Sequence, residues 1–218
     1  MDSIQAVLFD YGMVLSGPPD PTAWQRMRSV SGLTEEALHA AYWAYRHDYD
    51  RDTLNALSYW SHVAAHAGTA FSPQQVAGLI AADVDLWTQL NPPMLAWARS
   101  LQQANIRTGI LSNIGDAMTE GLLAKFDWIS AFDHCTWSYS LKLAKPEAAI
   151  YHCAADGLKT PPTNILFIDD RVENVEAARA AGMQSIQYHF ADHASFENEM
   201  HARGLGYLLC PTPAQTGT

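Results

Sequence analysis

The chain has 218 residues, a formal net charge of −10 and 48% hydrophobic residues. That length allows one large domain or two small ones, with enough apolar material to bury a core. The acidic balance argues against a nucleic-acid partner, which needs a basic footprint, and the absence of an 18-residue apolar run argues against a membrane span. The first element, Ala6-Val7-Leu8-Phe9-Asp10, is an apolar strand that ends in an acid. Met1-Asp2-Ser3 leads straight into it, which leaves no room for a signal peptide. Ser16-Gly17-Pro18-Pro19 breaks the strand, and the chain then reads as helical to about residue 90. Asp20-Pro21 opens a helix with an acid at the N-cap and proline in its first turn. Thr34-Glu35-Glu36 opens another, with acids at the positive end of its dipole. Asp52–His66 repeats apolar residues at helical spacing (Leu54, Leu57, Tyr59, Trp60, Val63, Ala64). Ser72-Pro73-Gln74-Gln75 is a capping box, and the fourth helix it opens runs to about Gln89. Tyr42, Trp43, Tyr45, Tyr49, Tyr59 and Trp60 read as packing between these helices. His62 and His66 stand at i, i+4 without a third ligand, and read as one exposed helix face. Asn91-Pro92-Pro93 is a hinge.

From Met94 the pattern alternates between helix and strand. Helices are expected over Met94–Ala104, Asp116–Phe126, Pro146–Ala155, Val172–Ala181 and about His193–Arg203, the fourth closed by Gly182. Strands are expected over Ile106–Leu111, within Ile129–Cys135, over Asn164–Ile168 and over Gln184–Tyr188. Such alternation predicts an α/β fold, a doubly wound, Rossmann-like parallel sheet with helices on both faces. The organisation expected is a core of residues 1–16 and 92–218, with a helical cap of 17–91. Strand one must end beside the active crevice, so the insertion emerges there and can act as a lid. Cys135, Cys153 and Cys210 lack metal-ligand spacing, which fits reduced thiols in a cytoplasm. The small, polar tail Pro211–Thr218 is expected to fray.

Polar groups at the carboxyl ends of parallel strands meet in one crevice. Asp10, Ser112 and the pair Asp169-Asp170 occupy such ends, with Lys145 beside them. Three carboxylates at one point repel unless a cation sits among them, which predicts Mg²⁺. Asp10 is then placed to attack a phosphoryl group. Asp10, Asp170 and the Gly12 carbonyl would ligate the metal. Ser112 offers a hydroxyl to phosphate, and Lys145 offers a positive charge to the developing negative one. Asp169 would hold Lys145 or a metal-bound water. Asn174, about one turn beyond Asp170, either orients the metal site or lies on the helix surface. Lys142 competes with Lys145 for the cationic role and reads as a solvated flank.

Four segments in this order resemble the motifs of the haloacid dehalogenase-like (HAD) superfamily: Phe9-Asp10-Tyr11-Gly12-Met13-Val14-Leu15, Leu111-Ser112-Asn113, Lys145-Pro146-Glu147 and Ile168-Asp169-Asp170-Arg171-Val172-Glu173-Asn174. The helical insertion is similar to that superfamily's C1 cap. The resemblance implies an aspartyl-phosphate mechanism with Mg²⁺ on a small phosphorylated substrate. It implies Asp10 as nucleophile, phosphate contacts at Ser112, Asn113 and Lys145, and metal ligation by Asp10, the Gly12 carbonyl and Asp170. A monomer or homodimer is expected.

One position departs from the family's usual pattern. HAD phosphatases usually carry a second Asp, a general acid and base, where this chain has Gly12. Losing a general acid costs about 10²–10⁴ in rate. The Asp-x-Gly form also resembles a branch of bacterial sugar-phosphate phosphatases, and the missing acid favours a good leaving group, such as an anomeric oxygen or an acyl phosphate, which needs less protonation. Asp20, His47 and Asp48 in the insertion are candidates to replace the missing acid. Gly12 equally motivates an alternative, a weak or inactive HAD-fold protein that binds a phosphorylated ligand or a protein partner. A 2-haloacid dehalogenase is the rival enzyme, but its motif puts Tyr two residues after the nucleophile, and a metal-free site gains nothing from Asp169-Asp170.

Overall fold

The structure, a computed structural model, describes residues 3–212. Residues 213–218 of the tail expected to fray therefore lie outside the described residues. Five parallel strands form one sheet in the order β3-β2-β1-β4-β5. They are β1 (Ala6–Phe9), β2 (Arg107–Ser112), β3 (His134–Trp137), β4 (Ile165–Asp169) and β5 (Gln184–Gln187). The central strand β1 pairs with β2 through Val7 opposite Thr108, and with β4 through Val7 opposite Leu166. Successive side chains of a strand point to opposite faces. Val7 and Phe9 accordingly enter one apolar layer with Ile110, Leu166 and Ile168, while Ala6 and Leu8 enter the other with Leu111 and Phe167. Burial on both faces explains why these strands read as continuous apolar runs.

The first layer is covered by α6 (Pro92–Gln103) and α11 (His193–Ala202), through Trp97, Leu101, Phe196 and Met200. The second is covered by α9 (Ala148–Gly157) and α10 (Val172–Ala180), through Ile150, Tyr151, Ala154 and Ala178. The expected doubly wound α/β fold is therefore present. The chain leaves β1 towards β2 on one side, and β4 lies on the other. This switch point sets Asp10 and Asp169 at adjacent strand ends, where open α/β sheets bind ligands.

Between β1 and α6 lies a block of five helices: α1 (Pro21–Ser31), α2 (Glu35–Ala44), α3 (Arg46–Asp50), α4 (Ala56–His66) and α5 (Pro73–Leu86). The short α3, like the four-residue α8 (Ser138–Leu141) that follows β3, has no forecast in the sequence, because so few residues carry too little periodicity to register. The expected caps form. Asp20 accepts from the N–H groups of Thr22 and Ala23, and Ser72 and Gln75 make the reciprocal capping box. The two connections run antiparallel, with Ser16 bridged to Leu90. Gly17 N–H donates to Gln89 O at 2.7 Å, and Asn91 N–H donates to Leu15 O at 2.9 Å. The interior of the block is the aromatic set Tyr42, Tyr49, Tyr59 and Trp60, each at most 1% exposed. His62 and His66 are exposed, and both rings lie against Tyr45.

Four boundaries differ from expectation: α4 starts at Ala56, capped by Asn55, rather than at Asp52, α5 ends at Leu86 rather than about Gln89, and β3 and α9 both start late. Residues Asp127–Ala131 form a 3₁₀ turn, and β3 starts only at His134. Asp133 delays the strand: its carboxylate accepts the Thr108 N–H at 2.8 Å, and its own N–H donates to Thr108 O. Helix α9 begins at Ala148 rather than Pro146. Glu147 is extended and closes a turn on Ala144, giving its N–H to Ala144 O and accepting the Ala144 N–H on Oε1.

Candidate active site

Asp10 follows β1 directly, and its N–H donates to Ile168 O of β4 at 2.8 Å. The chain then turns through a single wide loop, Tyr11–Leu15, in which Gly12 is extended and Met13 adopts φ 60°. Tyr11 secures the loop by donating its hydroxyl proton to Trp87 O at 2.8 Å. The Asp10 Oδ1 accepts the Tyr11 N–H at 2.7 Å and sits 2.8 Å from Lys145 Nζ. Its Oδ2 has no hydrogen-bond partner among the described residues.

Lys145 is almost fully buried, and its ammonium joins three acceptors. Besides Asp10, these are Asp169 Oδ2 at 2.7 Å and Leu111 O at 3.1 Å. Asp169 is saturated. Its Oδ1 accepts from Arg171 N–H at 2.9 Å, and both oxygens accept from Asn174 Nδ2. Asp170 differs, since its carboxylate forms no ion pair among the described residues. Ser112 is buried at the end of β2, and its hydroxyl likewise lacks a protein partner among them. One ligand atom each from Asp10, Asp169 and Asp170 lies within 4.8 Å of the others.

The charge balance is incomplete. One ammonium faces three carboxylates. Burial pushes the Asp10 carboxyl well above the ordinary carboxylate range; Lys145 pulls it down, while Asp169 and Asp170 push it further up. Asp170 is raised too, by burial and then by Asp169. Burial works against the Lys145 ammonium, yet Asp10 and Asp169 outweigh it and raise its pKa. With Asp169 satisfied by Lys145 and Asn174, the donors left open are the free oxygen of Asp10 and the carboxylate of Asp170. Hard, anionic oxygens short of positive charge fit a divalent cation such as Mg²⁺.

A family profile of haloacid dehalogenase-like hydrolases matches residues 13–182. The chain belongs to this family of hydrolases. It is 24% identical over 197 residues to (S)-2-haloacid dehalogenase 1 of Pseudomonas sp. (strain CBS-3), covering 86% of this chain and 85% of that protein. It is 25% identical over 213 residues to drimenol cyclase drtB of Aspergillus calidoustus, covering 94% of this chain but only 39% of the cyclase. Among solved structures, HAD family enzyme BT-2542 of Bacteroides thetaiotaomicron superposes with a TM-score of 0.73 at 18% identity, covering 89% of this chain and 99% of that one. The same enzyme is known in complex with magnesium and inorganic phosphate.

Within this HAD core, the sequence-derived residues Asp10, Gly12, Ser112, Asn113, Lys145, Asp170 and Asn174 all line one cavity of about 480 Å³. Asp169 lies just beneath it, fully buried. The Asn113 side chain is bonded to the chain at Lys145. Its Oδ1 accepts the Lys145 N–H at 2.8 Å and its Nδ2 donates to Lys145 O at 2.9 Å, so it clamps the backbone that carries the ammonium. Asn174 is buried and orients Asp169, rather than lying on the helix surface. Lys142 is largely exposed and pairs with Asp52 at 3.4 Å.

Of the acids and bases expected from the insertion, His47 lines the cavity. Asp20 is engaged instead in capping α1, and Asp48 stands exposed outside the cavity lining. Sequence reading missed Arg46, Asp50, Trp87 and the cavity role of Trp43. The usable signal was Arg46-His47-Asp48-Tyr49-Asp50, a burst of charge inside an otherwise apolar helical stretch. Arg46 Nε donates to Asp50 Oδ1 at 3.1 Å, and its Nη1 reaches the Tyr42 hydroxyl and both oxygens of buried Asp83. Burial lifts Asp50 above the ordinary carboxylate range against the pull of Arg46.

Proposed function

We propose that this HAD-family hydrolase is a Mg²⁺-dependent phosphatase acting on a small organic phosphate. The observation that carries the reading is Asp170, an unpaired carboxylate facing a second, half-satisfied one at Asp10. A dehalogenase site must attract a carboxylate substrate, and an extra bare carboxylate would repel it. In the phosphatase reading Asp10, Asp170 and the Gly12 carbonyl would hold Mg²⁺, which would supply positive charge to the phosphate oxygens and so ease the approach of an anionic nucleophile.

A carboxylate oxygen of Asp10 attacks phosphorus, and the bond to the ester oxygen breaks, leaving an aspartyl phosphate. Water then attacks that phosphorus, releasing inorganic phosphate and restoring Asp10. Lys145 stays ammonium throughout and offsets charge on Asp10 and on the transferring group. Ser112 donates its free hydroxyl to a phosphate oxygen. Asn113 and Asn174 position Lys145 and Asp169. No side chain at position 12 can protonate the departing oxygen, so this falls to a cavity-lining group of the helical block, His47 or Asp50. That block, residues 17–91, serves as the cap that covers the site and selects the substrate.

The test is phosphate release from a panel of phosphomonoesters, with Mg²⁺ and with EDTA. Wild-type protein is expected to turn over at least one ester only with Mg²⁺. Asp10→Asn abolishes turnover, and Asp170→Asn raises the Mg²⁺ concentration for half-maximal rate by about tenfold or more. Metal-independent halide release from 2-haloacids, with no ester turned over, overturns the reading.

A further inference from the structure

The cavity over Asp10 is two-sided. Its floor is the charged set described above. Its walls are Met13 from the loop after β1, Trp43 from α2, Trp87 at the end of α5, Ile114 after β2, and Met118 with Leu122 on α7 (Asp116–Lys125). Met118 and Leu122 are one turn apart and share a helix face. Trp43 is 47% exposed, an unusual position for so large an apolar side chain.

Most of the charged and amide side chains in these walls are already engaged. Arg46 is bound to Asp50, Asp83 and Tyr42, and Asp50 to Arg46. Asn113 is turned to the Lys145 backbone, and Arg171 and Glu173 pair with each other. Among the cap side chains in the lining, His47 and the buried indole N–H of Trp87 keep uncommitted polar groups among the described residues, too few to serve the several hydroxyls of a sugar. A sugar ring brings several hydroxyls, and each one desolvated without a partner costs affinity. A hydrocarbon group demands no partners and gains from burial against such walls.

We infer that the alcohol half of the substrate is a hydrocarbon: the enzyme hydrolyses aryl or alkyl monophosphates in preference to sugar phosphates. This rests on the phosphatase reading above. The floor takes the phosphate, and the two tryptophans with Met118 and Leu122 take the hydrocarbon. The two sources of such a group differ in leaving ability. A phenolate departs readily without a proton at position 12, whereas an alkoxide relies on the cap's acid.

The experiment measures kcat/KM with Mg²⁺ for n-alkyl monophosphates from methyl to octyl, for phenyl and 1-naphthyl phosphate, and for glucose 1-phosphate and glycerol phosphate. The alkyl series is expected to rise about fourfold per methylene until the walls are covered. Naphthyl is expected to exceed phenyl, and both sugar and glycerol esters to fall at least about tenfold below phenyl. Trp43→Gln, at a half-exposed site that tolerates a polar residue, lowers the octyl-to-methyl selectivity ratio about tenfold. A second readout needs no turnover: phenylphosphonate perturbs tryptophan fluorescence at lower concentration than methylphosphonate does. A flat alkyl series, or preference for glucose 1-phosphate, overturns the inference and leaves the phosphatase reading standing. Release of phosphate from none of the esters overturns the phosphatase reading, and this inference falls with it.

Discussion

Replacing Lys145 by Met removes the ammonium and keeps most of the apolar stem. Nζ lies 2.8 Å from Asp10 and 2.7 Å from Asp169, with the lysine side chain 2% exposed. Water cannot take over the lost contacts at that depth. Removing one partner of a buried ion pair costs about 3–5 kcal/mol, because the surviving charge stays desolvated. For a chain of this size each kcal/mol moves Tm by roughly 2–4 °C, so the variant is expected to melt about 6–20 °C lower near neutral pH. The penalty depends on pH. Burial already raises Asp10 well above an unfolded aspartate. Losing Lys145 raises it further, so the folded variant keeps protons that the unfolded chain releases. Ionising such a raised carboxyl costs stability as pH climbs. The Tm gap between wild type and variant should therefore widen from pH 5 to pH 8. Calorimetric melting in EDTA, which keeps both proteins free of metal, measures it. A Lys145→Met protein that melts within 2 °C of wild type at pH 8 refutes the account, as does a gap that ignores pH.

Three further outcomes are expected. At Gly12 an added Cβ would meet Trp87 at 3.7 Å, an ordinary contact, so Gly12→Asp should fold. The new carboxyl should speed alkyl esters by up to about 10²-fold and aryl esters much less, seen as a flatter dependence of kcat on leaving-group pKa; an equal effect on both classes contradicts the assignment of a missing acid. At Gly115, the N-cap of α7, a Cβ would overlap the ring of Tyr49, through which α3 docks on the core. Gly115→Ala should cost about 1–3 kcal/mol and lower Tm by roughly 2–12 °C, and an unchanged melt argues against that docking contact. Burial holds the His134 imidazole below its ordinary pKa. The unfolded chain then takes up the proton first, so stability falls as pH drops below about 6.5 and is retained above it. His134→Gln should shrink the Tm difference between pH 7.5 and pH 5.5; an undiminished difference refutes the assignment.

The candidate site was legible wherever a residue's chemistry follows from its place at a strand end. Asp10, Ser112, Asp169 and Asp170 each follow an apolar run, and parallel strands must bring those ends together. Lys145 was legible through the Lys145-Pro146-Glu147 segment that resembles a family motif, which set it apart from Lys142. The clamp that the Asn113 side chain makes on Lys145 was not legible, because a short amide reaches either a ligand or a neighbouring backbone, and only the position of Lys145 brings that backbone within reach. Asn174 was ambiguous for the same reason until α10 placed it over Asp169.

The helical block shows the opposite balance. Its caps at Asp20, Thr34, Asn55 and Ser72 are local hydrogen-bonding devices, and three of them were visible in a few letters of sequence. Which of its aromatics faces inward was not visible. Tyr42 and Trp43 are neighbours in the chain, yet one is buried with Arg46 and Asp83 and the other lines the cavity. Local pattern alone determined most of the longer elements, the strand-end acids and the need for a counter-ion, because capping and hydrophobic periodicity act within a turn or two of chain. Tertiary packing decided which amide clamps the lysine, which carboxylate remains bare and which walls await the substrate, because those depend on helices and strands far apart in sequence approaching within a few ångströms.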